Sequence, residues 1–225
     1  MTVLDRAVLG GPSLDAARAL LGTRLVRESP AGRRSGRIIE VEAYAGEADL
    51  ASHARFGRTP RNAVMFGPPG IAYVYLVYGM HDCLNIVTEP SGTAAAVLVR
   101  AVEPEDGIEA MRRSRLERLG RRRRVDDGAV ARDRHRLARL PVERLASGPG
   151  LVSAAFDIDR SLTGVDLCDP SSPLRLEARR PDEPEPAIVA GPRVGVTYAG
   201  EGWAHRPWRL AVARSPSVSG PPLGG

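Results

Sequence analysis

The sequence predicts an α+β fold, a single mixed domain built on an antiparallel or mixed β-sheet with helices around it. Three observations carry this. Strand-like runs outnumber helical ones and mix with them without regular βαβ spacing. A chain of 225 residues with 43% hydrophobic content suits one core of good size. No internal repeat marks a solenoid or propeller.

The elements follow in order. Ser13 reads as the N-cap of a short amphipathic helix that Gly22 stops. Strands follow over 23–27 and 37–44, and 48–54 makes a short helical turn. Residues 55–70, rich in Arg, Gly and Pro, form a loop. Residues 71–77 are a strong strand signal, with Tyr78-Gly79-Met80-His81 as its turn. Residues 82–88 and 94–102 give two more strands. Pro104 opens a helix with Glu105 and Asp106 in its first turn and Arg at its end. The Arg-rich stretch 112–144 reads as a loop or insertion. A helix over 150–156 follows Ser147-Gly148-Pro149. Short strands are expected near 173–178, 187–190, 193–198 and 207–213. The domain spans 1–217. The Ser-, Pro- and Gly-rich tail from Ser215 is loose, with 218–225 flexible.

Net charge is +5, which points to a polyanionic partner. Residues 112–144 hold 13 Arg against five acids, a net of +8; the rest of the chain holds 19 Arg and 22 acids, a net of −3. That segment is either a solvated loop or a DNA-contacting one. All 32 basic residues are Arg, so a lysine Schiff base is excluded. No run approaches the roughly 20 apolar residues of a membrane span, and the N-terminus lacks a signal-peptide layout. A cytoplasmic protein is expected, with Cys83 and Cys168 as reduced structural thiols. His53, His81, His135 and His205 are scattered, so no metal site and no cofactor is expected.

In the run Arg37 to Tyr44, strand alternation puts Ile39, Val41 and Ala43 toward a core and Glu40, Glu42 and Tyr44 on the other face. Two carboxylates beside a ring are either plain surface or a site where an acid or base works next to a stacking group. Four of the five tyrosines lie between residues 44 and 78. Tyr73 and Tyr75 share a strand face, either as core or as walls for a flat, electron-poor ring. Tyr78 and Met80, at a tight turn, suit a wedge that enters a base stack; a core tyrosine is the alternative. Arg55, Arg58 and Arg61 recur by three in a loop able to track a phosphate backbone.

These residues fall in a familiar order. Glu42-Ala43-Tyr44, Ser52-His53, Thr59-Pro60-Arg61-Asn62, Met65-Phe66, Pro69-Gly70, Tyr73-Val74-Tyr75, Tyr78-Gly79-Met80, Asn85 and Val99-Arg100-Ala101-Val102-Glu103-Pro104 together resemble the alkyladenine (3-methyladenine) DNA glycosylase family. Ser147-Gly148-Pro149, Gly191-Pro192-Arg193-Val194-Gly195-Val196 and Pro207-Trp208-Arg209 extend the likeness over roughly 13–217. The resemblance implies a curved antiparallel sheet, with Glu42 as general base and Arg100 helping to position the attacking water. It makes Tyr44, His53 and Tyr75 the walls for an extruded base, and Tyr78 the filler of the gap. Asn85 would disfavour the 2-amino group of guanine. The implied partner is double-stranded DNA holding a damaged purine, met by a monomer near the bacterial nucleoid. A non-catalytic damaged-DNA-binding protein would share the wedge and basic surface but leave Glu42 and Arg100 idle.

Overall fold

The computed structural model describes residues 2–122 and 127–223. Helix α1 (Ser13–Leu20) is followed by a hairpin of β1 (Arg24–Ser29) and β2 (Gly32–Tyr44). A meander of β3 (Ala72–Val77), β4 (His81–Thr88) and β5 (Ala95–Asp106) comes next. Helices α2 (Ile108–Arg122), α3 (Asp127–Arg139) and α4 (Pro149–Ala155) follow. The chain then adds β6 (Leu174–Glu177), β7 (Ile188–Gly191), α5 (Glu201–Ala204) and β8 (Arg209–Val212).

All eight strands of the described residues join one curled antiparallel sheet in the order β3-β4-β5-β2-β1-β6, with β8 against β2 and β7 against β8. The α+β expectation therefore holds. β2 is the spine, because its 13 residues are long enough to pair with β1, β5 and β8 in turn. The main core lies between the sheet and α1, α2 and α4, where Leu20, Val41, Ile86, Val99, Met111, Val152 and Phe156 are buried.

Several expectations are corrected. Ser13 does not cap α1 through its side chain; Glu89 Oε1 accepts its backbone N–H at 2.9 Å, leaving Pro12 at the cap position. Pro104 does not open a helix. It continues β5 opposite Gly36, at a register shift where its missing N–H breaks no ladder. Gly107, at φ +76 and packed against the Arg33 carbonyl, makes the turn into α2 instead. Residues 193–198 are not a strand. Gly195 takes φ +77 and a 3-10 turn follows, so Arg193 can reach inward.

The segment 112–144 is not a loop over its described part but the helical pair α2 and α3; residues 123–126 lie outside the described residues. Much of its charge is used internally. Arg112 caps the Leu137 and Leu140 carbonyls, Arg115 the Arg144 and Leu145 carbonyls, and Arg118 bonds Asp82 at 3.1 Å and the Ile158 carbonyl at 2.7 Å. The tail is not loose either, as far as Pro221: Ser217 and Ser219 are buried. Residues 224 and 225 of that stretch lie outside the described residues.

Candidate active site

The strand alternation expected for 37–44 is broken. Register shifts flank Glu40, so Ile38, Val41 and Ala43 are the β2 residues in the main core. The shift near Ala101 leaves Arg100 of β5 facing both carboxylates. Glu40 and Glu42 are fully buried. Glu42 Oε1 accepts from Arg100 Nη1 at 3.0 Å and from the Val194 backbone N–H at 2.7 Å. Its Oε2 accepts from the Tyr44 hydroxyl at 2.8 Å. Burial pushes the Glu42 carboxyl above the usual carboxylate range, and the Arg100 charge, the Val194 N–H and the Tyr44 hydroxyl oppose it.

Glu40 is tied to two cations. Its Oε1 accepts from Arg100 Nε at 2.8 Å and Arg209 Nε at 2.7 Å, and its Oε2 from the Ser219 backbone N–H at 2.6 Å. Two carboxylates and two guanidinium groups balance in formal charge. That balance makes so much buried charge tolerable.

Tyr44 links this cluster to a cleft lined by Tyr44, Ser52, His53, Met65, Tyr73, Tyr75, Asn85 and Tyr198. Tyr44, His53, Tyr75 and Asn85 are thus brought together along one cleft. The His53 ring meets Tyr75 edge-on at 4.3 Å, and its Nδ1 lies 3.2 Å from the Tyr73 hydroxyl. Burial and the nearby Arg61 and Arg55 charges lower the His53 pKa to about 4, so the ring is neutral at ordinary pH. Burial likewise raises the Tyr44 and Tyr75 hydroxyls. Tyr73 is both core and cleft lining: its ring packs with Ala54, Met65 and Ala96 and stands 5.5 Å from Tyr75. Asn85 is buried, and its amide donates to the Tyr73 and Cys83 carbonyls.

The β3–β4 hairpin tip is the opposite case. Tyr78 is 85% exposed and Met80 53%. Tyr78 has φ +51 and Gly79 φ +67, the left-handed backbone of a tight turn. Tyr78 is therefore not a core residue. The salt bridge from Arg118 to Asp82 fastens this hairpin to α2.

Arg55, Arg58 and Arg61 do not form a free row. Arg55 lies over Phe56 at 4.5 Å and Tyr198 at 4.8 Å, and Arg58 over Phe66 at 5.7 Å. Arg61 donates to the Leu76 carbonyl at 3.1 Å and sits 5.7 Å from the Tyr75 ring, beside the cleft.

Sequence reasoning missed what stands behind Tyr44. The Arg193 guanidinium lies 4.7 Å from that ring and pairs with Asp49, both fully buried. This pair also fixes the neighbouring Val194 N–H on Glu42. It gave Arg209 no role and did not name Ser219. Pairs separated by more than 140 residues leave no local pattern. Among the described residues no group of three His, Cys, Asp or Glu is placed to hold a metal ion. No described helix is long and apolar enough to cross a membrane. Cys83 and Cys168 are free, and burial pushes the Cys83 thiol up to about 12.

Comparison with known proteins identifies the family. The family model described as methylpurine-DNA glycosylase matches residues 7–216. Three similar proteins carry the name "Putative 3-methyladenine DNA glycosylase". The one from Methanocella arvoryzae is 49% identical over 220 residues, 97% of this chain and 96% of that protein. The one from Myxococcus xanthus is 44% identical over 225 residues, covering 100% and 97%. The one from Streptomyces avermitilis is 43% identical over 219 residues, covering 97% and 91%. The chain belongs to the methylpurine-DNA glycosylase family.

Proposed function

We propose that this protein is a monofunctional DNA glycosylase that extrudes an alkylated purine of the 3-methyladenine type and hydrolyses its N-glycosidic bond with a water activated by Glu42. The observation that carries this reading is the direct bond from Glu42 to Tyr44, which joins a buried, donor-anchored carboxylate to an aromatic cleft.

A stacked and paired base hides its sugar carbon, so excision needs the nucleotide rotated out at a cost of a few kcal/mol. Tyr78 and Met80 at the exposed tip fill the gap and offset part of that cost. The cationic ring of a 3-methylpurine is held by the faces of Tyr44 and Tyr75. A neutral His53 adds no repulsion there. The Arg193 charge behind Tyr44 is cancelled by Asp49. Such a base is already a good leaving group and needs little acid. As the sugar gains oxocarbenium character, the Glu42 carboxylate stabilises it and takes the proton from water. Arg100 holds that carboxylate in place. With no lysine in the chain, water is the nucleophile and no lyase step follows. The partner is damaged duplex DNA, bound by a monomer, with arginines on its phosphates.

The test is a panel of defined lesion duplexes, scored for free base and for strand breaks, with and without chelator. Release of 3-methyladenine with intact strands, indifferent to chelator, supports the proposal. Tight lesion binding with no release favours the non-catalytic reading, and strand cleavage without added base overturns the monofunctional one.

A further inference from the structure

The fold places one more carboxylate beside the site than base-assisted hydrolysis needs. Glu40 is as buried as Glu42, lies outside the cleft lining, and is fully bonded. Its partners come from distant parts of the chain: Arg100 on β5, Arg209 on β8, and Ser219 in the segment after β8.

That segment is a strap. Arg209 Nη2 donates to the Ser219 carbonyl and to the Pro221 carbonyl at 3.0 Å, and Ser147 Oγ donates to the Val218 carbonyl at 3.3 Å. Gly220, at φ +68, turns the chain across both guanidinium groups; a Cβ there would lie 3.6 Å from Arg100 Nη2 and from Arg209 Nη2. Ser219 acts twice. Its N–H binds Glu40, and its Oγ accepts from Arg100 Nη2 at 3.1 Å.

We propose that Glu40 and the strap residue Ser219 are positioning residues for the reaction, gripping Arg100 at Nε and Nη2 so that Nη1 alone is directed at Glu42. The proposal rests on the reading of Glu42 as the base. A guanidinium on a long side chain has many rotamers, and a single bond to Glu42 would leave it free to swing. Held at two other nitrogens, it fixes the carboxylate orientation before substrate arrives. The Glu40 charge has a second effect. It lets Arg100 and Arg209 be buried without drawing Glu42 down into the ordinary acidic range, since the two cations have another anion to answer.

Glu40→Gln and Ser219→Ala test this in the full chain. Single-turnover base release across pH and lesion-duplex Kd are measured for each. The Glu42 side-chain carbonyl is also titrated by carbon-13 NMR in glutamate-labelled protein, assigned with Glu42→Gln. Glu40→Gln is expected to slow release by roughly tenfold to hundredfold with Kd little changed. It should move both the acid limb of release and the Glu42 titration to lower pH, because an anion near Glu42 is gone. Ser219→Ala keeps every charge and the backbone N–H. It should slow release by less and leave the titration in place. A Glu42 titration that stays put in Glu40→Gln, or release unchanged in both variants, overturns the proposal. If wild-type protein releases no base from any lesion, the glycosylase reading fails, and the titration still decides whether Glu40 governs Glu42. Should Glu40→Gln not fold, Ser219→Ala decides, with unchanged release overturning the role of the strap.

Discussion

Glu42 and Tyr78 are held in opposite ways. Glu42 is sealed in the sheet, with three donors from three parts of the chain fixing both oxygens. Tyr78 stands out from a hairpin tip on left-handed backbone with most of its ring in solvent. The first has no freedom to lose when substrate binds. The second has a ring that no neighbour holds in the core. On the proposed function, the difference separates two tasks: chemistry calls for electrostatics set in advance, and entering a base stack calls for a ring free of the core.

The largest expected effect is at the sealed end. Glu42→Gln should cut single-turnover release by about 10² to 10⁴ while leaving lesion-duplex binding largely intact. At pH below the raised Glu42 pKa, where that carboxyl is already neutral, it should not lower the thermal midpoint. The folded-state pKa of Glu42 is raised, so the neutral form suits the fold better, and stability is lost as pH rises through that pKa. Release within threefold of wild type would remove Glu42 from the base role, and a marked fall in midpoint would make it a structural carboxylate.

At the exposed end, Tyr78→Ser should reduce the flipped fraction of a fluorescent lesion base by about tenfold, or ~1.4 kcal/mol, with the melting temperature unchanged. A large melting drop with flipping intact would reverse the comparison.

The basic helices should affect all DNA alike. On α3, Arg132, Arg134, Arg136 and Arg139 are exposed, whereas Arg112, Arg115 and Arg118 of α2 are engaged with carbonyls and Asp82. Replacing those four by Ser should weaken binding to undamaged duplex and reduce the salt slope by roughly 0.9 for each phosphate that is no longer neutralised. An unchanged slope would make α3 a solvated helix.

A separate effect, on stability rather than on DNA, concerns His53. Its folded pKa, about 4, is below the ordinary 6.5. The unfolded chain therefore takes up the proton first, and stability falls as pH drops from 6.5 toward 4. His53→Gln should flatten urea midpoints over that window. Parallel curves for the two proteins would show that the ring does not titrate as its burial demands.

The aromatic part of the cleft was legible because Tyr44, Tyr73 and Tyr75 sit on strands whose patterns are strong; His53 and Asn85 entered only through the resemblance. Glu42 and Arg100 were found through an ordered set of short motifs. The bulge at Glu40 was not readable, since alternation is the only signal a strand offers and a bulge shifts it without a mark. The helices α2 and α3 were hidden by charge. Thirteen Arg suggested solvent, yet several cap carbonyls or cross to Asp82. The tail looked loose because Ser, Pro and Gly are turn formers, and composition does not show that a turn is wrapped around buried arginines.

That strap also bears on how the protein folds. Glu40 and Ser219 are 179 residues apart, so their bond closes almost the whole chain into a loop. Pairings of such separation meet the highest entropic cost and form after local hairpins such as β3–β4. Refolding followed by circular dichroism should thus recover strand signal well before base release. During that lag Glu40, Arg100 and Arg209 stay hydrated. A molecule can be well structured by spectroscopy and still be no enzyme.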